Sequence, residues 1–182
     1  MDRRIELLAK EFNKDESRFK ISDEAEDVII EDDDAEYLVV DEDTADELCR
    51  ADIESFIDES GITGFTKDFQ YWIIENAVDP EFLFEAAREE IDVLSDEDEW
   101  DTVSDLEDAI DEKNADYILS YFVNLWGEEE TYDWLKDAVD TDKVTEGVID
   151  WDGRGHLLAT YDSEEIELAD NGNIEYYAYR IN

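Results

Sequence analysis

The chain offers one imidazole, His156, and one thiol, Cys49, for catalysis or metal binding. One thiol excludes an intramolecular disulfide framework and a thiolate zinc site. One imidazole excludes a His-rich metal centre. His156 closes the run Gly153-Arg154-Gly155-His156, and no Ser or Cys beside it forms a nucleophile motif. That context predicts a packed, hydrogen-bonded histidine rather than a general base. The paired glycines do not make a phosphate loop, which needs a longer glycine-spaced segment ending in Gly-Lys-Ser/Thr. They predict a structural loop with a tight turn, in which Arg154 offsets some of the surrounding acid. Calcium loops fail as well. In Asp150-Trp151-Asp152-Gly153 the glycine stands at position 4, where an EF-hand needs it at position 6. Carboxylates are so frequent that no catalytic pair stands apart, and a working acid needs a private environment to set its pKa. The expectation is a protein without catalytic residues, metal or cofactor.

The acid itself then asks for an explanation. Of 182 residues, 58 are Asp or Glu against 14 Lys or Arg, a formal net charge of -44. Solubility asks for a magnitude of only ~2–8 in a small domain. Self-repulsion at the higher value destabilises the compact state. The sign excludes direct gripping of phosphate backbones, which needs Lys and Arg clusters, and docking on an anionic membrane leaflet. Disorder is excluded by the apolar content: 42% of residues are hydrophobic and 12% aromatic. Adaptation to a salt-rich cytoplasm fits poorly, because Lys equals Arg at 7 each and large apolar side chains are retained.

Duplex DNA carries one charge per ~1.7 Å of axis, so this net charge equals that of ~75 Å, or about 22 base pairs. A compact chain of this length has a radius of gyration of ~16 Å. The charge density is therefore comparable with DNA. Such a surface presents carboxylates to a groove built for phosphates and is steered to it at long range. The implied partner is a basic nucleic-acid-binding protein. The candidate contacts are Asp32, Asp33 and Asp34, and the run Asp96, Glu97, Asp98, Glu99, Trp100, Asp101. Trp100 gives the second cluster an aromatic anchor of the kind enriched at interface hot spots. A third cluster, Glu128 to Glu130, opens a helix and serves its dipole.

The elements that position these groups are legible from periodicity. Ile5, Leu8, Ala9 and Phe12 predict a short amphipathic helix. Arg18 to Ser22, Val28 to Ile30 and Tyr37 to Val40 predict a small antiparallel sheet over residues 18–41, with the first acid cluster in a turn. Thr44 and Glu47 have capping-box spacing before a helix with Leu48, Ala51, Ile53, Phe56 and Ile57 as its apolar stripe. Gly61 and Gly64 end it, and Thr66 starts another. Asp79-Pro80 is an N-cap with proline at the first helical position. Ser104 and Asn114 are read as caps of the next two helices, with Asp96 to Asp101 in the loop before them. Asn171-Gly172 between two alternating runs predicts a β-hairpin over about residues 165–180. The whole reads as α+β: a small antiparallel sheet, a helical middle and a C-terminal β-hairpin. Residues 1–182 read as a single acidic domain, subdividing into an α/β part (1–60), a helical part (61–145) and a loop plus hairpin (146–182). No segment approaches 18 consecutive apolar residues, and the N-terminus has no apolar run of signal-peptide length. An intracellular, soluble protein is expected.

Four stretches carry a resemblance: Ile5 to Glu11, Ala35 to Glu47, Asp152 to Asp162 and Tyr176 to Asn182. In their order and in the loop-plus-hairpin the chain resembles a set of small acidic proteins encoded by bacteriophages and gut-bacterial mobile elements. It departs from the commoner Tyr-Asp-Gly of that set by carrying Ser163 after Asp162. The resemblance implies phage origin and action in the cytoplasm of an infected bacterial host. It also implies a strategy similar to that of antirestriction DNA mimics and anti-CRISPR proteins. The expectation is an inhibitor that occupies the basic groove of a host defence nuclease. The type II CRISPR RNA-guided nuclease is favoured, since it holds its heteroduplex in a positively charged channel. A restriction-modification enzyme is the alternative target, and a non-inhibitory acidic scaffold or halophilic protein the alternative class.

Overall fold

Hydrophobic alternation in five short segments builds one antiparallel sheet, and it does so in a computed structural model that describes residues 2–22, 29–94 and 100–182, with Trp100 described by its backbone. The strands are β1 (Lys20–Ile21), β2 (Ile29–Asp32), β3 (Ala35–Val40), β4 (Glu165–Asp170) and β5 (Asn173–Arg180), in the spatial order β1-β2-β3-β5-β4. The protein is α+β, as the sequence predicts. The C-terminal hairpin joins the N-terminal strands through β3 and β5, where Val39 faces Ala178 and Leu38 faces Tyr179. The hairpin turn is Asn171-Gly172, both residues left-handed at φ 51° and 83°.

The strand period of two sorts side chains onto the two faces. One face carries Ile30, Ala35, Tyr37, Val39, Leu168 and Ala178, buried against Leu7 and Leu8 of helix α1 (Arg3–Glu11). The other carries Val40, Tyr177 and Tyr179, buried with Ala45 and Cys49 of α2 (Glu42–Ser60) and with Leu158 and Ala159. Asp2 caps α1 by accepting the backbone N–H of Arg4 at 2.9 Å. The capping box predicted at Thr44 lies one turn earlier: Asp41 accepts the backbone N–H of Thr44 at 2.9 Å, so Thr44 is inside α2. The α2 stripe is Ala45, Cys49, Ile53 and Ile57, strictly four apart. Leu48 and Phe56, predicted in that stripe, are more than a third exposed.

Two compact units divide the chain, residues 1–54 with 145–182, and residues 55–144. The second unit is helical: α3 (Lys67–Asn76), α4 (Pro80–Val93), α5 (Trp100–Asp111), α6 (Ala115–Trp126) and α7 (Glu128–Leu135). Asp79 and Asn114 cap α4 and α6 as expected, accepting from Glu81 and Tyr117. Ser104 does not cap α5, because that helix has already begun at Trp100. Aromatic rings fill this unit. Trp134 meets Phe82, Phe122 and Trp126 with centroids 4.8–5.3 Å apart. A second ladder runs Phe56, Phe65, Phe69, Trp72. Offset and edge-on rings of this kind add ~0.5–1.5 kcal/mol per pair beyond area burial. Chain segments far apart are stitched by backbone bonds, Asp79 N–H to Ala138 O and Asp140 N–H to Ala77 O.

Two helices went unread in the sequence, α8 (Thr141–Asp152) and α9 (Arg154–Leu158). The second corrects the loop predicted for Gly153, Arg154, Gly155 and His156. Only Gly153 is a turn, at φ 78°. Arg154, Gly155 and His156 are helical. Gly155 has a different reason to be glycine: a Cβ there would stand 2.5 Å from the Ser163 carbonyl oxygen and 3.0 Å from Glu165 N. The short helix therefore lies directly on the backbone that leads into β4.

Candidate partner-binding surface

Each acid takes its role from what the fold puts beside it. At the β2–β3 turn the three consecutive aspartates separate. Asp32 points into the sheet face covered by α1, and its side chain has no solvent exposure. Lys14 bonds it, and the Arg18 guanidinium lies 3.3 Å from Oδ1. The Asp33 backbone N–H donates to Oδ1 at 2.7 Å. The Lys14 hydrogen bond, outweighing burial, holds the carboxyl below its ordinary value. Asp32 is thus an internal counter-ion, which corrects its assignment as a partner contact. Asp33 and Asp34 are 76% and 84% exposed and lie only at the edge of Arg18, at 3.4 and 3.9 Å. Both carboxylates are open to solvent.

Of the second cluster, Asp96, Glu97, Asp98 and Glu99 lie outside the described residues. Trp100 and Asp101 belong to the first turn of α5, not to a loop, and Asp101 is exposed. Glu128, Glu129 and Glu130 form the exposed first turn of α7, where Glu128 is bonded by Lys67. Carboxylates there complement the helix dipole.

The Gly-Arg-Gly-His segment organises a polar cluster in the first unit. Arg154 donates to Asp46 at 2.6 Å and Glu42 at 3.3 Å on α2, and lies 3.7 Å from Glu165 on β4. Its guanidinium sits over the Tyr177 ring, 5.3 Å from the centroid. Tyr179 donates to Glu165 at 2.6 Å. Burial, then this carboxylate, pushes the phenol upward. Burial, reinforced by Asp46, pushes the Cys49 thiol up to about 11. A thiol so shifted is neutral near pH 7 and is no nucleophile. His156 is exposed on α9, which corrects the packed histidine expected from the sequence: its side of the short helix faces away from the β4 backbone that Gly155 meets. Among the described residues no group of three or more His, Cys, Asp and Glu side chains is placed to hold a metal ion. No described helix is long and apolar enough to cross a membrane.

Charge is shared evenly between the units, but cations are not. Residues 1–54 and 145–182 hold 30 acidic and 9 basic residues, a net of -21. Residues 55–144 hold 28 and 5, a net of -23. In the first unit cations tie elements together: Arg3 joins Glu6, Asp170 and Glu175, and Lys10 also reaches Asp170. In the second, Lys67 of α3 joins Glu128 of α7, and the other ion pairs described, Lys136–Asp133 and Lys143–Asp140, are each three residues apart in sequence.

Sequence reading missed one feature of that second unit. An open cleft between α4 and α5 is lined by Ile91, Asp92, Glu107, Asp108, Ile110 and Asp111, with Arg88 the one base among its lining residues. Ile91 and Ile110 fit the helical spacing of the apolar residues of α4 and α5, which alone points them inward. The signal that could have exposed the cleft is that Ile91 stands between Glu90 and Asp92 and that Ile110 is followed by Asp111 and preceded two residues earlier by Asp108. No protein-family model, curated protein or solved structure matches the chain.

Proposed function

We propose that the protein is an acidic decoy that occupies the basic nucleic-acid groove of a partner and inhibits it by competition. The observation that carries this reading is the second unit: 28 acids against 5 bases on a helical body with its own aromatic core. A fold that needed the charge only for packing would neutralise it, as the first unit does at Asp32, Asp46 and Asp170. Here the described carboxylates other than Glu90 are exposed, and few of them are ion-paired, which is what competition with phosphates requires. The favoured target is a phage-defence nuclease, with the type II CRISPR RNA-guided enzyme first and a restriction-modification enzyme second. Its place of action is the cytoplasm of an infected bacterium. The resemblance to phage-encoded acidic proteins supports that choice of partner.

The test is a titration of the protein against the purified nuclease at several salt concentrations, with and without competing duplex DNA. Neutralising six or more groove cations changes affinity by ~10³-fold or more between 50 and 200 mM salt. A steep fall, and mutual exclusion with DNA, is the expected result. Affinity flat in salt, or simultaneous binding of DNA, sinks the decoy reading.

A further inference from the structure

The cleft between α4 and α5 combines two properties that the rest of the acid surface does not need. Its floor is apolar, made by the half-buried Ile91 of α4 and Ile110 of α5. Its rim is predominantly anionic: Asp92, Glu107, Asp108 and Asp111 are all exposed, against one base, Arg88, one turn before Asp92 on α4. Among the described residues no base lies within ion-pair distance of these four carboxylates. Glu107 and Asp111 are one helical turn apart, so they stand above one another on one stripe of α5. Asp108 and Asp111 are likewise neighbours. The cleft therefore offers a short row of negative charge beside a greasy floor. Just beyond it Val93, at the end of α4, is 75% exposed.

Phosphate and lipid headgroups are excluded from such a rim by sign. A purely cationic loop would leave the isoleucine floor wet, and a purely apolar one would bury carboxylates without partners. The chemistry that satisfies both is a segment whose Lys or Arg side chains flank one or two aliphatic side chains. We infer that this cleft is the docking groove for a cationic amphipathic segment of the partner protein. Ile91 and Ile110 receive its apolar side chains, and Asp92, Glu107, Asp108 and Asp111 pair with its cations. The inference rests on the decoy reading and deepens it. Acid over the whole surface sets the encounter rate, while the groove slows release and supplies selectivity.

The experiment titrates the full chain with a fluorescent Lys/Leu peptide of the length of α4, following anisotropy, beside a Lys/Ser peptide of equal charge. Two variants address the groove. Asp108→Asn with Asp111→Asn removes two rim charges from exposed positions, and Ile91→Ser with Ile110→Ser wets the floor. Glu129→Gln with Glu130→Gln removes the same charge elsewhere in the unit. Circular dichroism checks folding, and the rim pair keeps the test decisive where the floor pair fails to fold. The rim pair should weaken the Lys/Leu peptide about fivefold and the floor pair about tenfold, with the Glu129/Glu130 pair within about twofold. Equal loss in all variants, no loss in the groove variants, or equal binding of the two peptides overturns the groove. Nuclease binding by the wild-type chain is read separately. A chain that binds the nuclease equally well with and without the rim pair refutes the groove and leaves the decoy. One that holds the peptide through its rim but binds no nucleic-acid-binding protein refutes the decoy and leaves the groove.

Discussion

Asp32→Asn removes one negative charge and keeps the shape of the side chain, so it separates two roles that the acid run at the β2–β3 turn could play. The carboxylate has no solvent exposure, accepts from Lys14 and from the Asp33 N–H, and lies beside Arg18. The amide oxygen can still accept the Asp33 N–H at the Oδ1 position, but the amide NH2 then takes the place of Oδ2 and meets Lys14 donor to donor. Breaking a fully buried pair costs ~3–5 kcal/mol. Lys14 and Arg18 are 29% and 39% exposed and recover part of their hydration. A loss of about 2 kcal/mol follows, or a melting point lower by roughly 4–8 °C for a chain of this size. Because the folded carboxyl titrates below its ordinary 3.8, its stabilisation is complete above that value. It is lost as pH falls through 3.8 into the depressed range. Thermal melts of both proteins should thus differ at neutral pH and converge in acid. Partner binding by the folded variant should be unchanged, while Asp33→Asn with Asp34→Asn should weaken it. Equal melting at pH 7, or weaker partner binding by folded Asp32→Asn at unchanged stability, would refute the counter-ion assignment.

Gly155→Ala should destabilise by about 1–3 kcal/mol, since its methyl must displace backbone and not a flexible side-chain end; urea midpoints measure it. Ser163 is left-handed at φ 60°, a conformation costing ~1–2 kcal/mol, of which glycine's unfolded-state entropy takes back ~0.4–1. Ser163→Gly should therefore stabilise by roughly 0.5–1 kcal/mol, and a lower melting point contradicts this. Cys49 should resist a thiol reagent at pH 7.5 and react fully in denaturant, and rapid labelling of the native chain would contradict its burial. The chain should unfold in one cooperative transition at ~0.15 M salt, where the Debye length of ~8 Å already screens much of the repulsion; folding only in molar salt would favour halophilic adaptation.

Elements governed by local pattern were legible before the structure. The strand Tyr37–Val40, the hairpin at Asn171-Gly172 and the helix entered through Asp79-Pro80 all follow from residue type and spacing. What was not legible depends on partners distant in sequence. No local signal separates Asp32 from Asp33 and Asp34; the difference is made by Lys14, which the pairing of β2 under α1 brings to Asp32 alone. Gly153 and Gly155 look like one loop, yet one serves a positive φ and the other the close passage of Ser163–Glu165. Leu48 and Phe56 fit a helical stripe equally well until the start of α2 fixes which side is inward.

The placement of cations argues for what the acid does. Fourteen bases cannot neutralise 58 acids, so their positions record where neutralisation matters most. Arg3 and Arg154 sit where acids from different elements converge, Glu6, Asp170 and Glu175 for the first and Glu42, Asp46 and Glu165 for the second. Lys10 ties α1 to Asp170 of β4, and Lys14 and Arg18 neutralise the acids of the β2–β3 turn. On the α4–α5 pair the opposite holds: Asp92, Glu107, Asp108 and Asp111 rim an apolar cleft beside a single arginine. Charge tolerated without relief next to greasy surface carries a standing cost in the free protein, in repulsion and in exposed isoleucine. A cationic segment with aliphatic side chains docked in the proposed groove would remove both costs together. The fold thus places most of its paired cations where its own elements meet and leaves the α4–α5 rim, among the described residues, without an ion pair.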